Sequence, residues 1–195
     1  MTDRIGLFGG TFDPIHIGHL VAAVNVRHSL RLDRLLLVVA NVPWQKEGSR
    51  AITPAEDRFA MVSAAVTAVP GLEASRVEID RGGPSYTADT LAAVASACPG
   101  ATLFTVVGAD VADSMDSWER ASEVARLSTL VVVNRPGSVR TAPLTGWRFV
   151  EIEVPNLEVS STDLRSRAAD GRPLDYLVPE SVVQVIRSRG LYAGE

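Results

Sequence analysis

Only one cysteine, Cys98, occurs in the 195 residues, which excludes an internal disulfide framework and a cysteine-based zinc site and fits a reducing cytoplasm. Surplus positive charge is lacking too. The net charge is -4 at pH 7, whereas duplex-binding modules carry excess Lys and Arg, so no nucleic-acid partner is expected and any anion site has to be local. No apolar run approaches the ~18 residues of a membrane span, and Asp3 and Arg4 leave no room for a signal core at the N-terminus. These features predict a soluble, cytoplasmic chain with no membrane partner. Two common phosphate-binding patterns, G-x-x-x-x-G-K-[ST] and G-x-G-x-x-G, are missing. Internal repeats, low-complexity tracts and linkers are absent as well.

What is present is globular in composition, with 46% hydrophobic and 22% charged residues. The length suits one domain over 1–195. Apolar runs at Ile5–Phe8, Leu35–Val39, Thr102–Val107, Leu130–Val133 and Phe149–Val154 predict strands, with a further short one at Val77–Ile79. Between them, helical stretches are expected at Leu20–Leu30, after a capping box at Thr53-Pro54-Ala55-Glu56, at Ala88–Ala97 and at Glu119–Leu127. Two more follow, one from a second capping box at Ser160–Asp163 and one from Pro179 to Arg189. Asn41–Arg50 reads as a loop, with Pro, Trp and Gly suited to a lid, and Ser138–Gly146 as a polar, mobile segment. This alternation predicts an α/β fold, a single Rossmann-like domain with a mostly parallel sheet flanked by helices on both faces. Ligands bind such sheets beyond the carboxyl ends of the strands.

The chemistry is expected at Gly9-Gly10-Thr11-Phe12-Asp13-Pro14-Ile15-His16-Ile17-Gly18-His19. A strand, a glycine turn and a helix start there, an arrangement that turns backbone N–H groups and the positive end of the helix dipole toward an anion. His16 and His19, three apart, share one side of a first turn that begins near Ile17. Phosphate is the natural guest.

Together with the distant Ser160-Ser161-Thr162-Asp163-Leu164-Arg165, this stretch resembles the signatures of the nucleotidylyltransferase superfamily. Within it the chain is similar to the bacterial nicotinate-nucleotide adenylyltransferases. The narrower resemblance rests on Gly83-Pro84-Ser85-Tyr86-Thr87-x-Asp89-Thr90-Leu91, Gly108-Ala109-Asp110 and Trp118 in order and approximate spacing. One departure stands out: where that family usually has Pro-Pro-His-Lys, this chain has Pro43-Trp44-Gln45-Lys46.

The resemblance implies transfer of the adenylyl group of ATP to nicotinate mononucleotide, with Mg²⁺ carried on the ATP phosphates and no protein metal site. Acid or amide at the pyridine ring is left open, and a homo-oligomer is compatible with the sequence. The implied catalytic residues are His16, His19, Lys46 and Arg165. ATP contacts fall on Gly9, Gly10, Thr11, Phe12, His16, His19, Gly108, Asp110, Arg135, Ser160, Ser161 and Arg165, with Asp110 holding the ribose. Lys46, Ser85, Tyr86, Thr87 and Trp118 are expected on the acceptor, Trp118 by stacking on the ring. The rival readings are an adenylyltransferase for another phosphorylated acceptor such as phosphopantetheine, and a non-catalytic nucleotide sensor.

Overall fold

The computed structural model describes residues 2–43, 52–134 and 146–194. Lys46, Arg135, most of the Asn41–Arg50 loop and nearly all of Ser138–Gly146 lie outside them. Six strands form one sheet in the order β3-β2-β1-β4-β5-β6. They are β1 (Arg4–Gly10), β2 (Arg34–Val39), β3 (Leu72–Ser75), β4 (Thr102–Gly108), β5 (Ser128–Asn134) and β6 (Phe149–Glu153). Every pairing is parallel. The order reverses between β1 and β4, and that is where a parallel sheet opens a crevice.

Alternation along the strands fills both faces. In β2, Leu35, Leu37 and Val39 enter one core while Leu36 and Val38 enter the other. β5 does the same with Val131 against Leu130 and Val132. The first face is covered by α1 (Ile17–Ser29), α2 (Ala55–Val66), α7 (Ser161–Ala169) and α8 (Glu180–Ser188), through Val26, Met61, Leu164 and Val182. On the second face lie α4 (Thr87–Ala97), α5 (Ala109–Ala112), a 3-10 turn at Met115–Ser117 and α6 (Ala121–Leu127), packed through Leu91, Ala112, Met115 and Val124. Each fully buried aliphatic side chain contributes roughly 1.5–3 kcal/mol to this two-sided core. No helix of the described residues is long and apolar enough to cross a membrane.

Two local expectations need correction. Val77–Ile79 is not a strand but part of a short helix, α3 (Val77–Arg81), and the strand is the preceding Leu72–Ser75. Leu-Glu-Ala-Ser has little strand propensity of its own, so its pairing with β2 decides. Gly71, at φ +77°, turns the chain into it. The helix at 77–81 is supported by the Arg76–Asp80 pair one turn apart, Nε to Oδ1 at 2.7 Å. At the start of α2 the Thr53 capping box does not form. Pro54 is the cap residue and makes no side-chain bond, while the Thr53 N–H donates to Asp13 Oδ2 at 3.4 Å. The second capping box does start its helix as expected, with Ser160 Oγ accepting from the Asp163 N–H at 3.2 Å.

Candidate active site

The carboxyl ends of β1, β2, β4 and β5 surround two clefts that meet. The first, on the β1–β2 side, about 430 Å³, is lined by the glycine loop and by Ser85, Tyr86, Thr87, Thr90 and Trp118. A second cleft of about 580 Å³ runs along β4 and β5 and is walled by Val133, Asn134, Val154, Pro155, Leu157 and Val159. Phe8, His19, Gly108 and Asp110 line both. Two elongated ligands, one per cleft, would therefore come together at His19.

The histidine pair is built from the helix start. His16 is the cap residue of α1, in extended conformation with φ -147° and ψ 173°, and its own N–H donates to His19 Nδ1 at 3.3 Å. With Nδ1 accepting, the ring proton of neutral His19 sits on Nε2. The two rings stack with centroids 3.8 Å apart and planes 32° apart, and the edges of Phe12 and Phe8 close the other sides of His19 at 5.1 and 6.2 Å. His16 is buried, and burial pushes its imidazole down from the ordinary 6.5 to about 4. At neutral pH it enters the site as a neutral hydrogen-bonding ring, which is also what stacking against a second imidazole requires. The glycine between them matters for this packing: a Cβ on Gly18 would stand 3.1 Å from the His16 ring.

The loop that carries the pair is held from below. Arg58, 1% exposed, donates through Nη1 to Thr11 O at 2.8 Å, through Nε to Thr53 O at 2.8 Å and through Nη2 to Asn41 O at 3.1 Å. Tyr192 Oη donates to Asp13 Oδ1 at 2.8 Å. Burial and the Asp13 charge both push this phenol far above its usual range. Ser161 Oγ donates to Pro14 O at 2.9 Å. Above these supports, Gly9 has open space where a Cβ would be, so the backbone itself can approach a ligand.

Of the residues expected from sequence, Gly9, Gly10, Thr11, Phe12, His19, Gly108, Asp110, Ser85, Tyr86, Thr87, Trp118 and Ser161 converge on the β1–β2 cleft, and His16 lines the other. Arg165 lines neither. It is 9% exposed, with Nη1 on Asp13 O at 2.8 Å and Nη2 on Thr162 Oγ1 at 3.3 Å, so its guanidinium supports the loop from behind. Ser160 is tied up as the cap of α7, and the Ser85 hydroxyl accepts from the Asn41 N–H at 2.9 Å. Sequence reasoning missed Arg58, Tyr192, Glu78 and the second-cleft wall at 154–157. Asn134 directly follows a predicted strand, at an end where ligands bind, but was given no contact of its own. Its Oδ1 is buried with no hydrogen-bond partner among the described residues, as are Trp118 Nε1 and His16 Nδ1, and all three residues line a cleft.

The family model described as cytidylyltransferase-like matches residues 7–167. A protein of Corynebacterium kroppenstedtii named probable nicotinate-nucleotide adenylyltransferase is 47% identical over 193 residues, covering 97% of this chain and 90% of that relative. A protein of the same name from Streptomyces coelicolor is 46% identical over 188 residues, with 96% and 100% covered. Among solved structures, the Plasmodium falciparum nicotinic acid mononucleotide adenylyltransferase complexed with NaAD superposes with a TM-score of 0.79 over 97% of each chain at 16% identity, a likeness of fold. On these matches the chain belongs to the cytidylyltransferase-like family, among the nicotinate-nucleotide adenylyltransferases.

Proposed function

We propose that this protein transfers the adenylyl group of ATP to nicotinate mononucleotide, forming deamido-NAD and releasing pyrophosphate, in NAD biosynthesis. The observation that carries the reading is the meeting of two clefts at His19. Adenylyl transfer needs the acceptor phosphate and the α-phosphate of ATP in line, and two grooves joined end to end supply that arrangement. In the step, an acceptor phosphate oxygen bonds to the α-phosphorus while the bond to the bridging oxygen breaks and pyrophosphate leaves. The nucleophile is already anionic, so positioning and neutralisation of moving charge are what the protein has to provide.

Each residue then has a task. His19, which lines both clefts, stabilises charge at the α-phosphate through its ring N–H, and neutral His16 orients it through the backbone bond. N–H groups of the Gly9–Thr11 turn receive phosphate oxygens, and Asp110, lining both clefts, takes the ATP ribose. Adenosine occupies the cleft walled by Val133, Pro155 and Leu157, and the pyridine ring lies by Trp118, Tyr86 and Thr87. Arg165 and Ser161 hold the loop at Asp13 and Pro14. Lys46 and Arg135 are assigned to the acceptor phosphate and to ATP on the resemblance alone. Among the described residues no group of three His, Cys, Asp or Glu is placed to hold a metal, which suits a Mg²⁺ held by the triphosphate oxygens, where it would supply neutralising charge. A cytoplasmic place for the reaction goes with the single cysteine.

A side-by-side turnover assay tests the reading. Purified protein with ATP and Mg²⁺ is expected to release pyrophosphate with nicotinate mononucleotide, and less with nicotinamide mononucleotide or phosphopantetheine. Pyrophosphate release no faster than without an acceptor would overturn it.

A further inference from the structure

Glu78 has no task in moving an adenylyl group between phosphates, yet it lines the acceptor cleft and is 7% exposed. A carboxylate taken out of water needs hydrogen bonds or an opposite charge to offset its lost hydration. Among the described residues it has one bond, from Thr90 Oγ1 to Oε1 at 2.6 Å, and forms no ion pair with any of them. Arg81 donates to that hydroxyl, Nη1 to Thr90 Oγ1 at 3.3 Å, and not to the carboxylate. The cleft around it is acidic as well: Asp13, Asp110 and Glu119 line it, and no Lys or Arg stands among its described lining residues. Trp118 lines the same cleft with an aromatic side chain.

A buried carboxylate and an indole in one cleft favour a ring that carries positive charge, the first by Coulomb attraction and the second by cation–π contact. An N-glycosylated pyridine is such a ring, since its quaternised nitrogen leaves the ring cationic whatever the group at position 3. We infer that Glu78 is a specificity-determining residue that selects acceptors bearing a pyridinium cation over neutral ones. The selection rests on the acceptor assignment proposed above. It explains how a cleft lined with acids could admit one phosphorylated acceptor and turn away those with an uncharged end, such as phosphopantetheine.

Glu78→Gln separates this role from simple support of α4, because the amide oxygen still accepts from Thr90 while the charge is gone. The probes are nicotinate mononucleotide and 3-carboxyphenyl riboside 5′-phosphate, in which carbon replaces the charged nitrogen. Dissociation constants come from titration calorimetry and KM from pyrophosphate release. The wild type is expected to prefer the pyridinium acceptor by on the order of 10-fold or more, and the variant to lose most of that preference. An unchanged preference in the variant, or equal weakening of both acceptors, overturns the inference, as does a wild type that binds both alike, however the variant folds. A wild type that binds with the preference but releases no pyrophosphate overturns the enzymatic reading and leaves Glu78 in place. Failure to bind nicotinate mononucleotide overturns both.

Discussion

His16 and His19 lie three apart in the chain and share a helix start, but their surroundings differ. His19 lines both clefts, so His19→Ala is expected to lower kcat on the order of 10²-fold or more with little change in the KM for ATP. Steady-state kinetics with both substrates varied checks this. For His16 the signature is in stability. Its imidazole titrates near 6.5 when unfolded and about 4 in the fold, so between those values the unfolded chain binds more protons and stability falls as the pH drops. The window is worth up to about 3 kcal/mol. Urea denaturation at pH 7 and pH 4 is expected to show a larger acid loss for wild type than for His16→Gln. At Gly9, where a Cβ has open space, Gly9→Ala is expected to fold normally but to bind ATP more weakly, as titration calorimetry would show. The histidines and glycines were legible because their spacing is itself the geometry. Arg58 and Glu78 were not, since each acts through a partner that no local pattern reveals, such as Thr11, 47 residues from Arg58.

The elements repeat this division between local and long-range causes. β2, β4 and β5 were plain from four- to six-residue runs rich in apolar residues, which a strand buried on both faces accommodates. β3 was not, because its strand state comes from the neighbour it pairs with, and the β-branched Val77 and Ile79 next to it misdirect any reading by propensity. Arg58 joins three elements that the sequence presents as separate, the glycine loop after β1, the exit of β2 and the entry of α2. Removing its head leaves three carbonyls short of a donor in a dry place, each worth roughly 1–3 kcal/mol. Arg58→Met is accordingly expected to destabilise the protein by about 3 kcal/mol or more, read from the urea midpoint.

Across the whole molecule, the crevice between β1 and β4 divides into two compartments with separate walls. Trp118 lines only the first, so Trp118→Ala is expected to raise the KM for nicotinate mononucleotide about 10-fold while the KM for ATP stays nearly constant. Equal losses for both substrates would assign Trp118 to packing, through its contact with the second core. The α/β class, the parallel sheet and the position of the clefts could be foreseen from alternation and strand ends alone. Which loops press on which required the fold.

Those long-range supports also set an order in time. Asp13 receives Arg165 from 152 positions away and Tyr192 from 179. During synthesis, the histidine helix leaves the ribosome long before either partner exists, so until then the turn beneath it has only the earlier supports from Thr53 and Arg58. A growing chain that stops short of Tyr192 would display the whole signature motif and still lack a settled phosphate cradle. The first residues of the site to be made are thus the last to become competent.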